Sequence, residues 1–259
     1  MKRATFIVSA AALLLPFGAL AEHHEAEPSL TDVWIMVPKQ GMEAEFTEAA
    51  EAHMARRKEA GESRDWSAFR VAVGHNVNVV QFRACCFDWA DQDAYLAADY
   101  QESLGADWNE NVHPYVDHYH HYIEEIDREN SHWEDGEATE GPYYGVTTWH
   151  WKEGAGPGPG EMRKKLSQIA LEDGGWADSG RNWLWLSRTG GKPVLAIVSP
   201  YSSYADMEPP EKSFFDTVSE SVGAEAAAEM FKTFGSGFSS SDYTVWEYDA
   251  NLSTSSDDE

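Results

Sequence analysis

The sequence predicts an α+β fold: two tandem β-α-β-β-α-β halves, packed sheet to sheet as a barrel inside one chain. Three observations carry this. Segments recur in order at a near-constant offset: "FDWADQD" at 87–93 is echoed by "SSYADME" at 202–208, an offset of 115, and "QESLGAD" at 101–107 by "SESVGAE" at 219–225, an offset of 118. Trp34 in "TDVWIMV" pairs with Trp149 in "GVTTWHW" at the same offset of 115, and a short insertion near Glu208-Pro209-Pro210 absorbs the later difference. The apolar period also switches between two and 3.6 in the same order in both halves.

The first half is expected over 31–128. "DVWIMV" alternates and is rich in β-branched and aromatic residues, which marks a strand. "GMEAEFTEAAEAHMARRKEAG" is helical, with Phe46, Ala50, Met54 and Arg57 along one face and Gly61 closing it. "WSAFRVAVG" and "VNVVQFRACCF" are strands around a Gly74-His75-Asn76 hairpin turn. "DQDAYLAADYQESLGADW" reads as one helix with Leu96, Tyr100, Leu104 and Trp108 at i+4 steps, and "DHYHHYIEEI" as the last strand. Residues 129–140, "ENSHWEDGEATE", read as a linker.

The second half is expected over 141–250. "YYGVTTWHW" is a strand, and "EMRKKLSQIALED" is a helix presenting Met162, Leu166, Ile169 and Ala170. "RNWLWLSR" and "KPVLAIVSPY" flank a hairpin at Thr189-Gly190-Gly191. "EKSFFDTVSESVGAEAAAEMFKTF" is helical with a break at Gly223, and "SDYTVWEYD" is the final strand. Residues 251–259, ending in "STSSDDE", are expected to be a disordered acidic tail, too polar to pack.

Each half therefore has the ferredoxin-like element order, with helices on one sheet face only. Two such units in one chain can cover each other's bare faces. Over about residues 30–250 this pattern resembles the dimeric α+β-barrel superfamily in a tandem, single-chain form. The resemblance implies that a monomer suffices, since the partner sheet is already present. It implies no single activity, because members include cofactor-free oxygenases, haem-binding enzymes and small-molecule binders.

The first 21 residues have the form of a secretory signal peptide: Lys2 and Arg3, an apolar run to Leu20, and the small-x-small site Ala19-Leu20-Ala21. The expectation is export to the periplasm or the exterior, with a mature chain starting near Glu22. No later apolar stretch is long enough to span a bilayer, so the mature chain is not expected to insert. The net charge of −26 argues against nucleic acid and anionic lipid surfaces as partners. Cys85 and Cys86 are adjacent, and on a strand they should face opposite sides as thiols, one of them buried.

The sequence holds 11 Trp, 11 Tyr and 11 Phe, enough to line a cleft for a flat apolar ligand. In the first strand Val33, Ile35 and Val37 are expected to face the helices. Trp34 and Met36 then face the space between the sheets, together with Trp149 and Trp151, while Trp183 and Trp185 share one face of a neighbouring strand. These five tryptophans are the candidate ligand-binding residues; the alternative is that their rings simply fill the barrel.

"HPYVDHYHHY" at 113–122 is the other candidate. Strand alternation puts His118, His120 and Tyr122 on one face and Tyr119, His121 and Ile123 on the other. His118 and His120 could supply two ligands to a divalent metal, with a third needed from elsewhere, or they are ordinary strand residues. "GAGPGPG" at 154–160 lacks the spacing of a nucleotide loop, and no Cys-x-x-Cys occurs, which excludes attachment of c-type haem; a divalent metal or non-covalent haem stays open. Three functional classes follow: an exported protein binding a small apolar or aromatic ligand, an oxygenase-like or haem- or metal-dependent enzyme, and a partner-binding protein with no small ligand.

Overall fold

The computed structural model describes residues 27–133, 141–172 and 175–254. The signal peptide expected over 1–21 lies outside the described residues, as does most of the expected linker.

The first half runs β1 (Leu30–Pro38), α1 (Glu43–Glu59), β2 (Ser67–Val73), β3 (Val80–Phe87), α2 (Trp89–Leu96), α3 (Tyr100–Asp107) and β4 (Val116–Ile126). The second runs β5 (Tyr143–Trp151), α4 (Gly158–Leu171), β6 (Leu184–Thr189), β7 (Val194–Tyr201), α5 (Phe214–Val222), α6 (Ala224–Gly235) and β8 (Phe238–Tyr248). The strands close into one barrel in the order β1-β3-β2-β8-β5-β7-β6-β4. Each half contributes a four-stranded sheet, β4-β1-β3-β2 or β8-β5-β7-β6. The sheets are joined at both seams, β2 with β8 and β4 with β6, by antiparallel ladders. The expected α+β class and tandem barrel are therefore present, and closure leaves no sheet edge unpaired.

The helices cover the outer face of each sheet. On α1 the predicted face is the packed one: Phe46, Ala50 and Met54 lie against Met36, Val80 and Phe82 of the sheet. Gly61, at φ 65°, follows this helix as expected. The second-half helix breaks at Gly223, at φ 89°. The segment expected as one helix over 91–108 is two. Tyr95 and Leu104 are both buried and line the same cavity, yet nine positions apart on a continuous helix they would face opposite ways. The break after Leu96 turns both inward.

The inside and outside of β1 are the reverse of the expectation. Trp34 and Met36 face the helices, and Ile35 and Val37 line the barrel interior. An eight-stranded barrel is only wide enough for modest side chains to fill. Its core here is Leu186, Ala196 and Ile126 with Val146 and Val198, and above them Glu124 meets Arg83 and Arg188. Trp34, Trp149, Trp183 and Trp185 go to the sheet–helix gaps, while Trp246 stays on the barrel side with Ile35 and Val37.

Two further expectations are corrected. Residues 252–254 are packed. Leu252 is fully buried, Ser253 Oγ accepts from the Ala68 N–H at 2.9 Å, and Thr254 Oγ1 accepts from the Trp66 N–H at 2.7 Å. Short hydroxyl side chains can satisfy strand N–H groups much as water would, so polarity did not prevent packing; residues 255–259 lie outside the described residues. Cys85 and Cys86 are both exposed and joined to each other as a disulfide, not split between the two faces as thiols. The β1–β3 register shifts between Leu30 and Thr31, opposite Phe87 and Cys85, so Cys86 is the extra residue of a β-bulge and leaves the strict alternation.

Candidate ligand-binding site

The second half holds an apolar cavity of about 270 Å³ between its sheet and its helices. Trp149 of β5, Trp183 just before β6, Trp185 of β6 and Ile197 of β7 form its floor; α4, α5 and α6 bring Leu166, Phe214, Phe231 and Phe234. The rings support one another: Trp149 lies 5.7 Å from Trp185 and 5.4 Å from Phe234, centroid to centroid. Indole N–H groups that would be costly to bury are satisfied, Trp185 Nε1 donating to Ser167 Oγ at 2.9 Å and Trp183 Nε1 to the Asn130 carbonyl at 3.0 Å. This fixes both indoles as rigid walls.

Among the described residues one cation reaches this cavity. Arg163 projects from α4 with only 7% of its surface exposed. Its Nη2 donates to Asp127 Oδ2 at 2.5 Å, and its guanidinium lies 5.3 Å from the Trp185 ring. Burial alone would raise the Asp127 pKa, but hydrogen bonds from Asn130 and Arg163 outweigh it and hold the carboxyl below its ordinary value. The other terminal nitrogen, Arg163 Nη1, is buried and has no hydrogen-bond partner. Among the described residues none that lines the cavity is His, Cys, Met or Tyr, so these residues offer haem iron no axial ligand and do not fit that group.

The first half holds the counterpart, a cavity of about 440 Å³ between its sheet and α1, α2 and α3. It is more polar. The His121 ring stacks on Trp34 at 4.0 Å and 12° between planes, with Nε2 bound to Asp32 Oδ1 at 2.8 Å. Arg64 Nη1 donates to the other oxygen of the buried Asp32 at 2.7 Å. Behind the wall a chain of bonds runs from Asp107 through His53 and Arg57 to Glu62, which also accepts from the Tyr95 hydroxyl. Burial, then Arg57, pushes the His53 pKa down to about 3, so the ring is neutral. Arg57 Nε donates to His53 Nε2, which places the ring proton on Nδ1, toward Asp107. Burial, then Glu62, raises the Tyr95 hydroxyl above its usual range.

The five candidate tryptophans are thus not brought together. Trp34 lines the first cavity, and Trp149, Trp183 and Trp185 the second. Trp151 lines neither; its ring packs on Phe238 at 4.5 Å. His118 and His120 face the barrel interior at its open mouth, a cavity of about 520 Å³ shared with His75 and His150, and their rings are 5.2 Å apart. Among the described residues no group of three or more His, Cys, Asp or Glu side chains is arranged to hold a metal ion. Asp32, His121 and Arg163 were missed as site residues. Arg163 had a legible signal: it lies at i, i+3, i+4 and i+7 with Leu166, Ser167 and Ala170, on the apolar face of its helix.

No protein-family model matches the chain, and no curated protein sequence is significantly similar to it. Solved structures do match. A putative monooxygenase from Lactobacillus acidophilus NCFM aligns with TM-score 0.50 at 10% identity, over 86% of this chain and 94% of that one. The two share a fold, the closed eight-stranded barrel with helices on its outer face. A mutant chlorite dismutase from Candidatus Nitrospira defluvii aligns with TM-score 0.49 at 12% identity, covering 88% of this chain and 93% of the other. A heme-binding protein from Thermus thermophilus aligns with TM-score 0.45 at 9% identity, over 86% and 92%. At these identities the likeness is one of fold.

Proposed function

We propose that this α+β-barrel protein is exported and binds a small, flat, largely apolar ligand between sheet and helices, rather than inside the barrel. The observation that carries this reading is the second-half cavity of about 270 Å³, walled by Trp149, Trp183 and Trp185 and by phenylalanines from two helices. Rigid aromatic walls with few polar groups hold planar apolar molecules by area, and the few polar groups orient them. Titrating the protein with indole by isothermal titration calorimetry should give saturable binding, and Trp149→Ala should weaken it about tenfold. No binding heat up to the solubility limit of indole would retire the reading.

A second reading rests on the first-half cavity. His121 is held by the buried Asp32 and presents its remaining ring nitrogen beside a stacking surface, Trp34. That arrangement suits a general base, which would make the protein an enzyme of the same superfamily. The discriminating result is a His121→Gln variant that still binds a ligand but no longer converts it.

A further inference from the structure

We infer that the ligand of the second-half cavity is a small aromatic acid whose carboxylate docks on Arg163 Nη1. The inference rests on the reading that this cavity binds a ligand, and it specifies the chemistry. Arg163 is 93% buried, taking its 7% exposure, and only one arm of its guanidinium is used, by Asp127. The Nη1 donor is buried without a partner. A buried guanidinium normally fills its donors, because each lost water bond must be replaced. An acceptor oxygen brought in by a ligand would satisfy the unused arm.

Charge selects which acceptor. The chain carries −26, yet among the described residues neither Asp nor Glu lines this cavity. A carboxylate entering it meets aromatic faces and one cation. Asp127 lies across the guanidinium, on its other arm, so a fork with one carboxylate at each end is available. Size selects the rest: about 270 Å³ suits a one- or two-ring acid. The ring would pack against Trp149 and Trp185, whose orientations are already fixed.

The test compares benzoate with toluene, its neutral counterpart, by isothermal titration calorimetry on the wild-type protein and on Arg163→Met and Arg163→Lys. Wild type should bind benzoate at least tenfold more tightly than toluene. Arg163→Met, which keeps an unbranched apolar stem without donors, should lose that preference. Arg163→Lys keeps the charge beside Asp127 but not the fork, and should fall between the two; it also serves if Arg163→Met fails to fold by circular dichroism. Equal binding of both probes to wild type, or benzoate binding unaffected by either variant, overturns the inference and leaves the ligand-binding reading standing. Binding of neither probe overturns both.

Discussion

At Glu124 two guanidiniums meet one buried carboxylate: Arg83 Nη1 at 2.7 Å from one oxygen and Arg188 Nη2 at 2.7 Å from the other. Burial alone would raise this pKa, but the two arginines outweigh it and hold the group below its ordinary value. A carboxyl depressed in the folded state stabilises the fold above its unfolded pKa, about 4.3 for Glu, and that contribution is lost as pH falls through the folded value. Glu124→Gln should leave two cations uncompensated and cost about 3 kcal/mol at neutral pH in urea unfolding, with the deficit shrinking in acid. His53 works over a different window. The folded ring titrates at about 3, whereas the unfolded chain takes up the proton near 6.5, so stability is full above that pH and falls below it. The expected slope between those values is about 1.4 kcal/mol per pH unit, and His53→Asn should flatten it. An unchanged slope would mean that His53 protonates freely in the folded protein.

At the level of elements, Gly223 lets the second-half helix turn a corner. At φ 89° it lies where an L side chain is strained, while no atom stands within 4 Å of the place a Cβ would occupy. Gly223→Ala should therefore cost about 1 kcal/mol through the backbone alone, measurable as a shift in the denaturation midpoint with unchanged slope. The two breaks were not equally legible. Gly223 announces itself, whereas the α2–α3 break has no glycine or proline, and it follows from the need to bury both Tyr95 and Leu104 on one side. Strand β4 behaves likewise. Its alternation separated His118 and His120 from Tyr119 and His121, but which set would face the barrel depended on the sheet around it.

For the whole molecule, closure is the dominant fact. Separated, each half would expose two strand edges and one bare sheet face, and the β2–β8 and β4–β6 ladders would be lost. Unfolding should be one cooperative transition, with a calorimetric to van't Hoff enthalpy ratio of about one. Two resolved transitions would show that the halves are independent. Since both sheets belong to one chain, sedimentation should give a monomer. Export is checked separately: the mature protein should begin close to Glu22 by N-terminal sequencing, and retention of Met1 would refute it.

The sequence by itself determined the element order, the duplication and hence the tandem α+β class, because periodicity and turn chemistry are local properties. It also marked tryptophans as residues able to line a cleft. Only the tertiary structure decided where those residues stand. Alternation assigns Trp34 and Ile35 to opposite faces of β1 but cannot say which face meets the helices; that depends on how much volume each side offers. The same holds for Trp149, Trp183 and Trp185, which assemble around Arg163 only when α4 is laid across β6. The tail shows the limit from the other direction: Ser253 and Thr254 are polar in composition, and they pack because the N–H groups of Trp66 and Ala68, far away in sequence, need acceptors.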